Sequence, residues 1–178
     1  SANDIYNSSI YFDGSNDWLV QPNYNSVEFG FNNPFTVFIV ARHWGNNSRK
    51  AIFSAYNKDV SFLDEQHGRN FWNNGLFISS RPMNMGNNWM VASASGSEPD
   101  SGQTSTWSFY MNGANYTDNA SYTGGNAYML QSSKQWVVGG MAGYNYYSES
   151  EVSEIIMINR ELGYLEKIMI TEYLSQKW

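Results

Sequence analysis

At 178 residues the chain is long enough for one domain with a two-layer core, and its 42% apolar and 17% aromatic content excludes a disordered polymer. Only 15% of residues are charged, the net charge is −6 and the ten basic residues are scattered, so neither nucleic acid nor an anionic membrane is an expected partner. There is no cysteine, which removes disulfides, thiolate metal sites and a cysteine nucleophile together.

Polar surface is supplied instead by Asn, Ser, Thr and Gly, with about one residue in eight an Asn. The start, Ser1-Ala2-Asn3-Asp4, is polar and reads as excised from something longer. Ser9–Phe12 and Trp18–Gln21 read as short strands around the turn Asp13-Gly14-Ser15-Asn16. Residues 22–34 carry the breakers of a loop. Phe35–Arg42 is the strongest strand signal: Phe35, Val37, Ile39 and Ala41 take one face and Phe38 and Val40 the other, so both faces should be covered. Ala51–Ala55 is a further strand. Residues 56–73 have no clear period and read as a long polar loop.

Leu76–Arg81 and Trp89–Ser95 are expected strands. Ser105–Asn112 alternates, with Trp107, Phe109 and Met111 on one face and Ser108 and Tyr110 on the other, and Asn112-Gly113 closes it as a turn. A Tyr/Thr/Asn/Gly-rich stretch leads to Trp136. Residues 152–158 form a strand buried on both faces. A helix over 163–176 follows, with Leu165, Ile168/Met169 and Tyr173 as its apolar stripe. About ten strands and one terminal helix predict an antiparallel sandwich.

Several of these segments are similar to a known family. Tyr11-Phe12-Asp13-Gly14-Ser15, then Phe109-Tyr110-Met111-Asn112-Gly113, then Asn159-Arg160 with Leu162, Glu166 and the finish Tyr173-Leu174 to Lys177-Trp178, resemble laminin-G-like and concanavalin A-like domains in that order. The resemblance implies an all-β, two-sheet antiparallel jelly-roll sandwich over residues 1–178, with a C-terminal α-helix. It also implies neighbouring first and last strands, and a structural Glu at 154.

Glycoside hydrolysis needs two carboxylates across a cleft. Glu149 and Glu151 share a strand face, but Glu154 has the opposite parity unless a bulge intervenes. The Arg-x-Glu-x-Arg, Gln-Ile-His and Tyr-x-Lys strands of lyases on this fold are not found, nor is a Gly-x-Ser-x-Gly elbow. The expectation is therefore no enzyme. Zinc is not expected from two histidines, whereas calcium has candidate oxygens in Asp59 and Asp64, or in the Asp13–Asp17 turn.

Binding remains. Aromatic rings stack on the C–H faces of sugars while amide, guanidinium and carboxylate groups meet their hydroxyls. Arg42, His43, Trp44, Trp72, Arg81, Trp89 and Tyr110 are the candidate surface. The expected role is a noncatalytic, carbohydrate-binding recognition module of an extracellular adhesin, virion or polysaccharide-degrading protein. The alternatives are a structural or protein-interaction module, and a hydrolase or lyase with an unfamiliar site.

Overall fold

A computed structural model of the chain describes residues 8–20, 34–43, 51–55, 60–64, 69–73, 76–79, 88–96, 107–117, 136–141 and 146–178; for 55, 60–64, 69–73, 76–79, 107 and 141 it describes the backbone alone. Two six-stranded antiparallel sheets form a sandwich, as the sequence pattern predicts. The first sheet has the order β1 (Ile10–Asp13), β14 (Glu149–Ile158), β3 (Phe35–His43), β8 (Met90–Gly96), β9 (Trp107–Met111) and β10 (Ala114–Asn115). The second has β2 (Leu19–Val20), β11 (Trp136–Val138), β4 (Phe53–Ala55), β5 (Val60–Asp64), β6 (Arg69–Asn73) and β7 (Leu76–Ser79). A two-stranded ribbon joins β12 (Gly140–Met141) to β13 (Tyr146–Tyr147). The Asp13–Asn16 turn thus carries the chain from one sheet to the other.

β3 lies at the centre of the first sheet, and its β-branched and aromatic run is buried along almost its whole length. Its two faces serve two cores. Phe35, Val37, Ile39 and Ala41 join Phe12, Met90, Ala92, Ala94, Phe109 and Val152 against Ile52, Phe53 and Trp136 of the second sheet. Phe53 and Trp136 stack with ring centres 4.7 Å apart. Phe38 and Val40, on the other face, join Val91, Leu162 and Leu174 beneath the helix α1 (Tyr164–Lys177). The first sheet is therefore the middle of three layers. Here "inner" denotes its face toward the second sheet and "outer" its face toward α1.

Three segments differ from the sequence reading. Residues 153–158 of β14, expected to be buried on both faces, are half-buried. Residues 56–73, read as a loop, contain the antiparallel pair β5–β6, whose short alternations are interrupted by the polar residues around them. The face of α1 that packs on the sheet is Lys167, Ile170, Thr171 and Leu174, with Trp178 at its end. Leu165, Met169 and Tyr173, the expected core stripe, are 73%, 69% and 57% exposed. The floor favours this face: Ser95 and Ser108 on the outer face accept from Lys167 Nζ, bonds that Leu or Met could not make, while the Thr171 hydroxyl donates back to the Lys167 carbonyl.

The helix is set by its first turn. The Gly163 N–H donates to Glu166 (2.9 Å), and Arg160 donates two bonds to the same carboxylate (2.6 and 2.9 Å). The Arg160 bonds, then the Gly163 N–H, hold the Glu166 carboxyl down to about 2 from an ordinary 4.5. Because the folded value lies below the unfolded one, the stability from this group is present above about pH 4.5 and is lost as pH falls toward about 2. We expect Glu166→Gln to shrink the difference in urea midpoint between about pH 7 and about pH 3. An unchanged difference would remove Glu166 from the acid limb.

Candidate functional site

Beyond the C-terminal end of α1 the outer face of the first sheet carries a chain of charged and aromatic contacts. Its geometry follows from strand parity. Arg42 lies on the same face of β3 as Phe38 and Val40, and its register partner on β14 is Glu151, which in turn faces Tyr11 of β1. The Arg42 guanidinium donates to Glu151 Oε2 from Nε (2.7 Å) and from its terminal nitrogen (2.6 Å), while the Ser9 hydroxyl donates to Glu151 Oε1. The guanidinium carbon sits 4.9 Å from the ring centre of Trp89, just before β8, in cation–π geometry. Trp89 in turn lies 6.4 Å from Trp178 at the end of α1.

A second carboxylate completes the network. The register slips between Val152 and Glu154, which leaves Ser153 as an extra residue. This bulge moves Glu154 onto the outer face with Glu151 and answers the parity question left open by the spacing. Glu154 Oε2 accepts from Lys177 Nζ (2.7 Å) and from the Trp178 indole N–H (2.8 Å). Burial opposes ionisation of both carboxyls. The hydrogen bonds and positive charge of their partners outweigh it and hold both below the ordinary carboxylate value. Both are fixed as anions at neutral pH, and neither is primed to donate a proton. What this arrangement offers is a guanidinium held over an indole by an ion pair, with Tyr11, 55% exposed, in the same cross-strand row.

The expected ligand residues do not all converge here. Arg42 and Trp89 do. His43 follows Arg42 on β3 and so points to the inner face, where it is 3% exposed; parity removes it from Arg42's side. Tyr110 does lie on the outer face, but α1 covers it: its ring is 6.1 Å from Tyr164 and 5.5 Å from Lys167 Nζ. Burial first, then the neighbouring Tyr164 and Glu161, raises its pKa. It belongs to the helix–sheet joint, not to an open surface. Trp72 lies on β6 of the other sheet, and its side chain is not described. Trp44, Arg81 and Asp59 lie outside the described residues, and Asp64 is known only as the backbone end of β5.

Among the described residues no group of three or more His, Asp or Glu side chains could hold a metal ion. In the Asp13–Asp17 turn, Asp13 Oδ1 accepts from the Ser15 N–H (2.7 Å), an Asx turn. Among these residues, too, no helix is long and apolar enough to cross a membrane.

Sequence reasoning missed Tyr11, Glu151 and Trp178 as members of this cluster. The signal for Glu151 was its i, i+2 relation to Glu149; for Trp178 it was the Tyr173-Leu174 to Lys177-Trp178 finish, which names no partner for the indole.

No protein-family model matches the chain. No curated protein matches it either. Solved structures do. The Trypanosoma rangeli sialidase in complex with sialic acid matches with a TM-score of 0.60 at 16% identity, over 95% of this chain and 28% of that one. The botulinum neurotoxin serotype D binding domain matches with a TM-score of 0.62 at 11% identity, over 96% of this chain and 44% of that one. A structure described as a receptor binding domain matches equally well, with a TM-score of 0.62 at 13% identity over 97% of this chain and 44% of that one. At such identities the likeness is one of fold, and the chain spans 28% to 44% of the length of these proteins. A β-sandwich of this class is shared; none of the three is described as laminin-G. The expectation of no enzyme is overturned by the sialidases, which are enzymes built in part on this fold.

Proposed function

We propose that this domain recognises carbohydrate, as a module of the concanavalin A-like and laminin-G-like kind, at the outer face of the first sheet beyond the end of α1. The observation that carries the reading is the Trp89–Arg42–Glu151 cluster, drawn from β3, β14 and the residue just before β8, with Tyr11 exposed in the same cross-strand row. A sugar ring has an apolar C–H face and a rim of hydroxyls, and an indole or phenol beside a fixed guanidinium–carboxylate pair matches both at once. Arg42 is already neutralised by Glu151, so the pairing suits neutral hydroxyls better than an acidic sugar. The net charge of −6 points the same way.

Matches to a sialidase in complex with sialic acid and to neurotoxin and receptor-binding domains support a surface-recognition role. An extracellular, cell-surface or virion-surface address belongs to the same proposal, and so does calcium at Asp59 and Asp64. The test is a glycan array with the intact domain, repeated with calcium and with chelator. Trp89→Ala and Arg42→Lys should each weaken binding about tenfold or more, the Lys variant because it keeps the charge but loses the planar fork. A blank array in both conditions, or binding indifferent to both variants, refutes the reading.

A further inference from the structure

Where the chain passes from the ribbon into β14, two serines carry hydroxyls into the interior. Ser148 and Ser150 are both 0% exposed, and neither Oγ has a hydrogen-bond partner on the protein. Their backbones are fixed. The Ser148 N–H donates to the Gly139 carbonyl (2.7 Å), and Ser150 pairs with Phe12 on one side and with His43 on the other. Strand alternation puts Ser150 on the inner face with Phe12 and Val152, and Ser148, two residues earlier, on the same face. Glu149 and Glu151 alternate to the outer face.

We infer that Ser148 and Ser150 hold one internal water molecule between them, at the end of the inner core beside His43. A hydroxyl taken out of water and left unpaired destabilises a fold, and buried hydroxyls that lack protein partners are where ordered water is held. The distances suit one molecule. The Cα atoms of an i, i+2 pair on a strand stand about 7 Å apart. Two O–H···O bonds through a shared oxygen span about 5.5 Å, so hydroxyls leaning toward each other close the rest. Water donates and accepts, as each hydroxyl does, and the His43 imidazole across the ladder is a third polar neighbour. The same alternation argues against a cation: a hard ion asks for carboxylate oxygens, and Glu149 and Glu151 face the other way. The water ties the start of β14 to the ribbon, on the reverse face of the strand that carries Glu151.

Urea unfolding of the intact domain separates a hydrated pair from two unpaired hydroxyls, because the two arrangements shift the midpoint in opposite directions. With a shared water, Ser148→Ala and Ser150→Ala should each lower the midpoint, by on the order of 0.5 M. The double variant should then lose less than the sum, because either substitution alone already breaks the bridge. With unpaired hydroxyls, each substitution removes a buried polar atom and raises the midpoint. A high-resolution crystal structure of the unaltered domain should show one oxygen within about 3.2 Å of both Oγ atoms. A midpoint that rises or stays unchanged in either single variant, losses that add in the double variant, or no such oxygen in the crystal overturns the inference. Glycan binding takes no part in these readouts, so this result and the array result stand apart.

Discussion

Gly139→Ala should cost this domain about 4 kcal/mol or more of folding stability, the largest loss expected from one methyl group. Two independent constraints meet at the position. Its φ of +84° lies where an L side chain is strained by about 1–2 kcal/mol. A Cβ built there would also stand 2.2–2.6 Å from three ring carbons of Phe12, which is 2% exposed. Neither side can yield. The Gly139 N–H donates to the Ile52 carbonyl (2.8 Å), and its carbonyl accepts from the Ser148 N–H (2.7 Å), so the backbone is pinned from both directions. Phe12 in turn fills the inner core between the sheets. The double variant Phe12→Leu/Gly139→Ala should lose clearly less than the sum of the singles, by about 1 kcal/mol or more. Urea unfolding of the four proteins measures both quantities, and a Gly139→Ala loss under about 1 kcal/mol would contradict this account.

Thr36→Val comes next. The substitution keeps shape and removes one hydroxyl, yet we expect a loss of about 2–4 kcal/mol. Thr36 is fully buried on β3, and its Oγ1 donates to the Arg160 carbonyl (2.9 Å) while accepting from the Leu162 N–H (2.9 Å). Those two groups belong to the turn from β14 into α1. With Val in place the buried Leu162 N–H loses its partner, the Arg160 carbonyl loses its donor, and the turn loses the bonds that set the helix's entry. Thr36→Ser, which keeps the hydroxyl and gives up a methyl, should lose about 1 kcal/mol. Comparable losses for Val and Ser would mean that packing, not the hydroxyl, governs the turn.

Much of the fold could be read from the sequence because it was written in burial. The two-faced run of β3, the strand into Arg160, and the Asn112-Gly113 turn with φ of 47° and 79° each carry a period or a steric requirement that admits few alternatives. The site was less legible because its members are joined by register. Arg42, Trp89 and Glu151 are far apart in sequence, and nothing before the strand order was known put them in one row. Glu154 was hidden by the Ser153 bulge, which reverses parity without a glycine or proline to announce it.

The helix misled through its composition. Leu165, Met169 and Tyr173 make an apolar stripe as good as any core stripe, while the face that packs holds a lysine. Lys167 Nζ donates to the Ser95 (2.6 Å) and Ser108 (2.9 Å) hydroxyls, and burial lowers its pKa. The clue was the small, hydroxyl-bearing outer row of Ser93, Ser95 and Ser108, which reads as open surface only if no polar partner is imagined above it.

Ser9 and Trp178 are both bonded to β14, at Glu151 and at Glu154. A pulling force applied between those two residues would enter and leave at one corner of the domain. It would act across the four-residue β1 ladder instead of along it, so the pairs from Ile10–Val152 to Asp13–Glu149 would carry the load one after another. Such a domain is expected to peel from its rim at low tension, with Phe12 the first side chain drawn from the inner core while β3 stays in place. A line under tension would then run past this domain with the sandwich hanging to one side.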